Sequence, residues 1–189
     1  GTEEQKLRFL PGIAAGRTIF CQGFSEPGAG SDLASVRTKG RAEGGEWVVN
    51  GQKIWTSLAH ISDWIFVVTR TEEGSKGPKG LTFLMMPLDQ PGIEIRGITQ
   101  INGDAEFNET FFTDARCPED SLIGGVGDGW KIAMGLLAFE RGRLVRARSV
   151  AHASAQRPRR GGGPRARHQP VSAQRQLLGD PGHGAAQLG

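Results

Sequence analysis

Two stretches of the sequence hold residue types that could do chemistry together. In Gly23-Phe24-Ser25-Glu26-Pro27-Gly28-Ala29-Gly30-Ser31-Asp32, three glycines and two hydroxyls fall within ten residues. Bare backbone of this kind lets a ligand come close and offers amide donors to an anionic or polar edge. The same composition also suits an ordinary turn. Its spacing is neither G-x-G-x-x-G nor G-x-x-x-x-G-K-[ST], so phosphate binding by those mechanisms is not supported. In Gln52-Lys53-Ile54-Trp55-Thr56-Ser57, strand alternation would put Trp55 and Ser57 on one face, about 7 Å apart. An indole beside a hydroxyl suits a flat heteroaromatic ring, one stacking and the other donating a hydrogen bond; the alternative is a packed tryptophan with a surface serine. Lys53 reads as structural rather than catalytic. His60 has no ligand partner at metal spacing and reads as a loop or surface residue, so no metal site is expected. Cys21 and Cys117 stand far apart and form no C-x-x-C pair, which points to neither zinc nor a redox dithiol and fits a reducing compartment.

Short apolar runs separated by turn residues must position these groups: Thr18 to Cys21, Trp47 to Val49, Ile54-Trp55, Trp64 to Val68, Leu81 to Met86, Ile93 to Ile95 and Phe111-Phe112. That spacing predicts a compact all-β barrel or sandwich. Asn50-Gly51 is the strongest hairpin signal, because a type I′ turn needs positive φ at both central residues. Thr2 and Gln5 have capping-box spacing before a helix over Glu3 to Leu10, which Pro11 interrupts. Asp128 can cap a second helix, Gly129 to Glu140, with Trp130, Ala133, Met134 and Leu137 at helical spacing. Glu140 follows Ala133, Leu136 and Leu137 on adjacent positions, so it ends an apolar stripe.

With 29 glycines, ten prolines and no tyrosine in 189 residues, turns and strands are favoured over a helical bundle, and the length suits one domain with pieces of its neighbours. Charge divides sharply. Residues 141–189 hold ten arginines and one acid, a balance of +9 in a chain of net +3, which leaves the first 140 residues at −6. The arginine-, glycine- and proline-rich segment has too little apolar area to offset its ordering entropy, so disorder or a non-native reading frame is expected there. No apolar run approaches the length of a membrane span, and a soluble protein without a membrane partner is expected.

Gln22 through Ser35 resembles the Ser/Thr-Glu-Pro…Gly-x-Gly-Ser-Asp segment of acyl-CoA dehydrogenases, with Phe24 a mild departure. Asn50-Gly51-Gln52-Lys53-Ile54-Trp55-Thr56-Ser57 resembles that family's Asn-Gly-x-Lys-x-Trp-Ile-Thr segment. Gly80 to Leu84 and Asn108 to Pro118 follow in the family's order, so the resemblance covers roughly residues 1–141. It implies a mainly β fold, a compact antiparallel β-barrel flanked by single α-helices. The implied boundaries are 1–16, the end of an N-terminal helical domain; 17–127, the flavin- and acyl-CoA-binding β-barrel; 128–141, the first helix of a C-terminal domain; and 142–189, the tail.

The resemblance further implies FAD as cofactor and oxidation of an acyl-CoA thioester to the trans-2-enoyl-CoA, in the cytoplasm. Gln22, Phe24, Ser25, Trp55, Thr56 and Ser57 would line the flavin, with Trp55 packing on the isoalloxazine and Ser57 bonding near N5. Ser31 would contact the acyl-CoA, and Arg141 would assist. Leu137-Ala138-Phe139-Glu140-Arg141 resembles the helix that carries the catalytic base in a minority of members, where burial on the apolar stripe would raise the carboxylate's pKa as a base requires. Otherwise Glu140 is a helix-end carboxylate paired with a cation. Expected partners are electron-transfer flavoprotein as acceptor and further subunits of a homo- or hetero-oligomer. The isolated chain is expected to be inactive. The competing readings are an acyl-CoA oxidase, a non-catalytic remnant, and a polyanion-binding module working through the basic tail.

Overall fold

The computed structural model describes residues 1–140, so Arg141 and the expected tail, 142–189, lie outside the described residues. The described chain begins with α1 (Glu3–Ala14), continues through eight strands and enters a second helix, α2, over residues 129–140. The capping box forms: Gln5 N donates to Thr2 Oγ1 at 3.2 Å and Thr2 N to Gln5 Oε1 at 2.9 Å. Pro11 does not end α1. It donates no backbone bond, but Ala15 N still reaches Pro11 O at 3.2 Å. Phe9 is wedged edge-on against Phe20 and Trp64, and this packing outweighs proline's local preference.

The strands are β1 (Phe20–Gly23), β2 (Lys39–Glu43), β3 (Glu46–Ser57), β4 (Trp64–Arg70), β5 (Leu81–Pro87), β6 (Ile93–Ile98), β7 (Phe107–Pro118) and β8 (Leu122–Ile123). They form one sheet in the order β6-β7-β3-β2-β4-β5-β8, with β1 beside β4. The mainly β architecture with single helices at both ends is the expected one. Two details differ. The hydrogen-bonded path is not closed among the described residues, and β4 pairs in parallel with β1 and, at Lys39↔Arg70, with β2.

The expected hairpin at Asn50-Gly51 is displaced. Gly44 (φ 63°) and Gly45 (φ 82°) supply the two positive-φ positions and turn β2 into β3. Asn50-Gly51 instead lies inside β3 at a register shift, where Asn50 exchanges hydrogen bonds of 2.9 Å with the side chain and backbone of Asp114. The side chain that suits a turn here binds a cross-strand bulge.

Strands β4 and β5 are buried on both faces, which explains their continuous apolar runs. Ile65, Val67, Leu84 and Met86 enter one core with Trp47, Val49 and Phe112. Val68, Leu81 and Phe83 enter a second with Phe24, Leu33 and Val36, and α2 packs on this second core through buried Ala133 and half-buried Trp130, Met134 and Leu137. Gly129 makes the approach possible: a Cβ there would lie 2.6 Å from the backbone of Leu81 and Thr82.

Candidate functional site

The glycine-rich stretch leaves β1 and folds on itself, Glu26 N bonding Ala29 O at 2.9 Å and Ala29 N bonding Glu26 O at 3.0 Å. A Cβ on exposed Gly28 or Gly30 would meet no atom within 4 Å, so bare backbone faces open space. Together with α2 this loop walls a cavity of about 480 Å³. Ser25, Gly30 and Ser31 give it a polar side, and Trp130, Met134 and Leu137 an apolar one. Phe24 also lines it, although most of its ring is buried edge-on against Phe83.

The second stretch departs from a regular strand in a way that serves the first. Lys53 pairs with Thr110, and the next pairing is Thr56 with Asn108, so Ile54 and Trp55 together stand opposite Glu109 alone. This is a β-bulge, which re-aims side chains and frees a backbone group. The freed Ile54 N donates to Ser25 O at 2.9 Å, joining the strand to the loop. Trp55 sits at φ 61° with 57% of its surface exposed, and its ring meets Phe107 edge-on at 6.2 Å. Trp55 and Ser57 are both exposed and flank the fully buried Thr56.

The structure thus sets Ser25 beside the strand that carries Trp55 and Ser57. Other expected site residues stand elsewhere. Thr56 does not present its side chain to that surface: alternation past the bulge turns it inward, and its hydroxyl finds no partner. Gln22 is half-buried on β1 opposite Phe66. Ser31 is exposed at the cavity. Glu140 is exposed at the end of the described part of α2, beyond buried Ala133 and half-buried Leu136 and Leu137, so the burial expected of it is not seen among the described residues. Arg141 lies outside the described residues. His60 is exposed, with Nδ1 3.3 Å from Asn108 Nδ2.

The ion pair between Lys53 and Glu26 escaped the sequence reading. Both side chains are buried, and Nζ lies 2.8 Å from Glu26 Oε1 and 3.1 Å from Phe24 O. Burial opposes the charge on Glu26, but the Lys53 ammonium and the Thr38 and Arg37 amides outweigh it and hold the carboxyl below its ordinary pKa. Burial dominates at Lys53 and pushes its ammonium down to about 8 against the pull of Glu26. The available signal was a lysine inside an apolar strand and a glutamate inside a glycine-rich turn. Cys21 and Cys117 are free and buried, and burial pushes both thiols up to about 12. Among the described residues no His, Cys, Asp and Glu group could hold a metal, and no helix is long and apolar enough to cross a membrane.

One β-sheet thus carries an exposed indole and hydroxyl at a strand end, fastened to an open glycine-rich loop that walls a polar-apolar cavity. The chain belongs to the acyl-CoA dehydrogenase family: the family model "Acyl-CoA dehydrogenase, middle domain" matches residues 21–115. Acyl-CoA dehydrogenase IpdE1 of Mycobacterium tuberculosis is 56% identical over 153 residues, which cover 81% of this chain and 40% of that protein. The chain therefore spans less than half the length of this relative. The solved Tcur3481-Tcur3483 steroid ACAD matches with a TM-score of 0.71 and 36% identity, over 82% of this chain and 42% of its own. The ChsE4-ChsE5 complex from Mycobacterium tuberculosis matches with a TM-score of 0.68 and 38% identity, over 73% and 35%.

Proposed function

We propose that these residues form the flavin- and acyl-CoA-binding part of a whole protein that oxidises an acyl-CoA thioester to its trans-2-enoyl-CoA. The observation that carries the reading is the Ile54-to-Ser25 bond, which joins the strand bearing exposed Trp55 and Ser57 to the open loop. This donor set fits a flavin: an indole face for the ring system, the Ser57 and Ser25 hydroxyls for its polar edge, and bare backbone at Gly28 and Gly30 where a side chain would obstruct. FAD, when bound, supplies a hydride acceptor. The chain's own residues orient the reactants and shield them from water. Ser31 and the cavity wall of Trp130 and Met134 receive the acyl thioester.

Proton removal from the α-carbon needs a carboxylate, and Glu140 is the candidate this chain carries, becoming effective when further protein covers its exposed side. The likeness to a steroid ACAD and to the ChsE4-ChsE5 complex supports a bulky acyl group and an oligomeric whole protein; its place of work in this reading is the cytoplasm. Residues 1–189 alone bind FAD weakly and turn over little. A dye-coupled assay with straight-chain and steroid-derived acyl-CoAs tests this. Enoyl-CoA formation by the whole protein, lost in Glu140→Gln, is expected. No dehydrogenation of any acyl-CoA by the whole protein contradicts the function, and turnover by residues 1–189 contradicts their inactivity. Reduction of electron-transfer flavoprotein without hydrogen peroxide would support a dehydrogenase over an oxidase.

A further inference from the structure

Lys53 is fully buried, and it immediately precedes the bulge that presents Trp55. Its partner Glu26 accepts two backbone amides as well, from Arg37 at 2.7 Å and Thr38 at 2.8 Å. One carboxylate therefore gathers three stretches of chain: its own turn, the entry to β2 and the middle of β3. Two consecutive links then run between β3 and the loop, Lys53 Nζ to Phe24 O at 3.1 Å and Ile54 N to Ser25 O at 2.9 Å.

Two charges taken out of water gain little net stability from each other, and apolar residues of similar size commonly do as well or better. What a fully bonded pair supplies beyond that is a fixed register, because each partner left alone would be a buried unpaired charge. The next residue shows the need. Trp55 holds a left-handed φ of 61°, which a bulky side chain adopts only when its surroundings enforce it.

We propose that the buried Lys53–Glu26 pair is a positioning device for the candidate flavin site, locking the Phe24-Ser25 backbone in register with the bulge that presents Trp55 and Ser57. Neither residue touches the ligand surface. Their effect runs through the two links and the bulge. The inference rests on the flavin reading above for its purpose, but the register itself can be measured without flavin.

The test uses the 189-residue chain and the variants Glu26→Gln, Lys53→Met and Glu26→Gln/Lys53→Met. Three quantities are read: thermal midpoint, amide hydrogen exchange at residues 24–31 and 54–57, and FAD affinity. Each single variant leaves one charge buried and lowers the midpoint. The double variant buries no charge and recovers most of that loss, but it exchanges faster in both segments and binds FAD more weakly, each by about tenfold or more. A double variant with the wild-type exchange pattern in both segments overturns the proposal, and so does one that fails to fold, since the pair would then serve general stability. If the wild type shows no FAD binding, the flavin reading fails, while the exchange pattern still decides whether the pair sets the register.

Discussion

Trp55 leaves more than half its surface in solvent, and an indole so placed contributes little to folding. Trp55→Ala should therefore keep the unfolding free energy within about 1 kcal/mol of wild type while weakening FAD binding roughly tenfold, the size of a lost stacking contact. Urea titration and FAD titration of the same preparation check both halves. The buried thiols make a different prediction. Cys21 and Cys117 titrate near 12 in the folded chain against an ordinary value of 9.0, so between these limits the folded state holds protons that the unfolded state has released. Stability must fall as pH rises through that window, by up to about 1 kcal/mol per pH unit for each thiol. Lys53 acts oppositely between about 8 and 10.5, where the unfolded state holds the extra proton and stability rises with pH. Two thiols outweigh one lysine, so the net slope above pH 9 is downward. Denaturant unfolding from pH 8 to 10.5 should show it, and Cys21→Ala/Cys117→Ala should reverse its sign.

The bulge in β3 and the close seat of α2 are the elements that shape the site. Replacing Gly129 with Ala drives a methyl into the Leu81-Thr82 backbone, and a cost of about 1 to 3 kcal/mol is expected from this overpacking. Since α2 walls the cavity, faster amide exchange across residues 129–138 should accompany it; an unchanged urea midpoint would contradict the packing. Much at this scale was legible. Apolar runs marked β1, β4, β5 and β6, and Thr2 with Gln5 announced α1. Strand β2, Lys39–Glu43, was not, because its burial pattern is almost wholly exposed and it has no apolar alternation to read. Asn50-Gly51 misled because Gly44-Gly45 serves the hairpin six residues earlier, and an Asn-Gly pair satisfied across a strand looks the same in sequence as one in a turn. That Lys53 and Thr56, three positions apart, are both buried was hidden for a related reason: a bulge shifts alternation by one residue, and only its partner strand reveals it.

At the scale of the molecule, the described residues make two cores back to back, one inside the sheet and one beneath α2, and the candidate site opens over the second. The order of the motifs along the chain foretold that they belong together. Their joining by Lys53, Glu26, Ile54 and Ser25 was not legible, because it depends on partners 27 and 29 residues apart. The chain spans 40% of IpdE1's length, so its own residues answer for what is held at the site and the whole protein for what is turned over. Flavin held by Trp55 and Ser57 is read from the visible absorption spectrum of the chain titrated with FAD, in parallel with Trp55→Ala and Ser57→Ala. A saturable change in the flavin bands with the wild type, diminished in both variants, is the expected result. No saturable change with the wild type, or titrations identical in all three proteins, would contradict it.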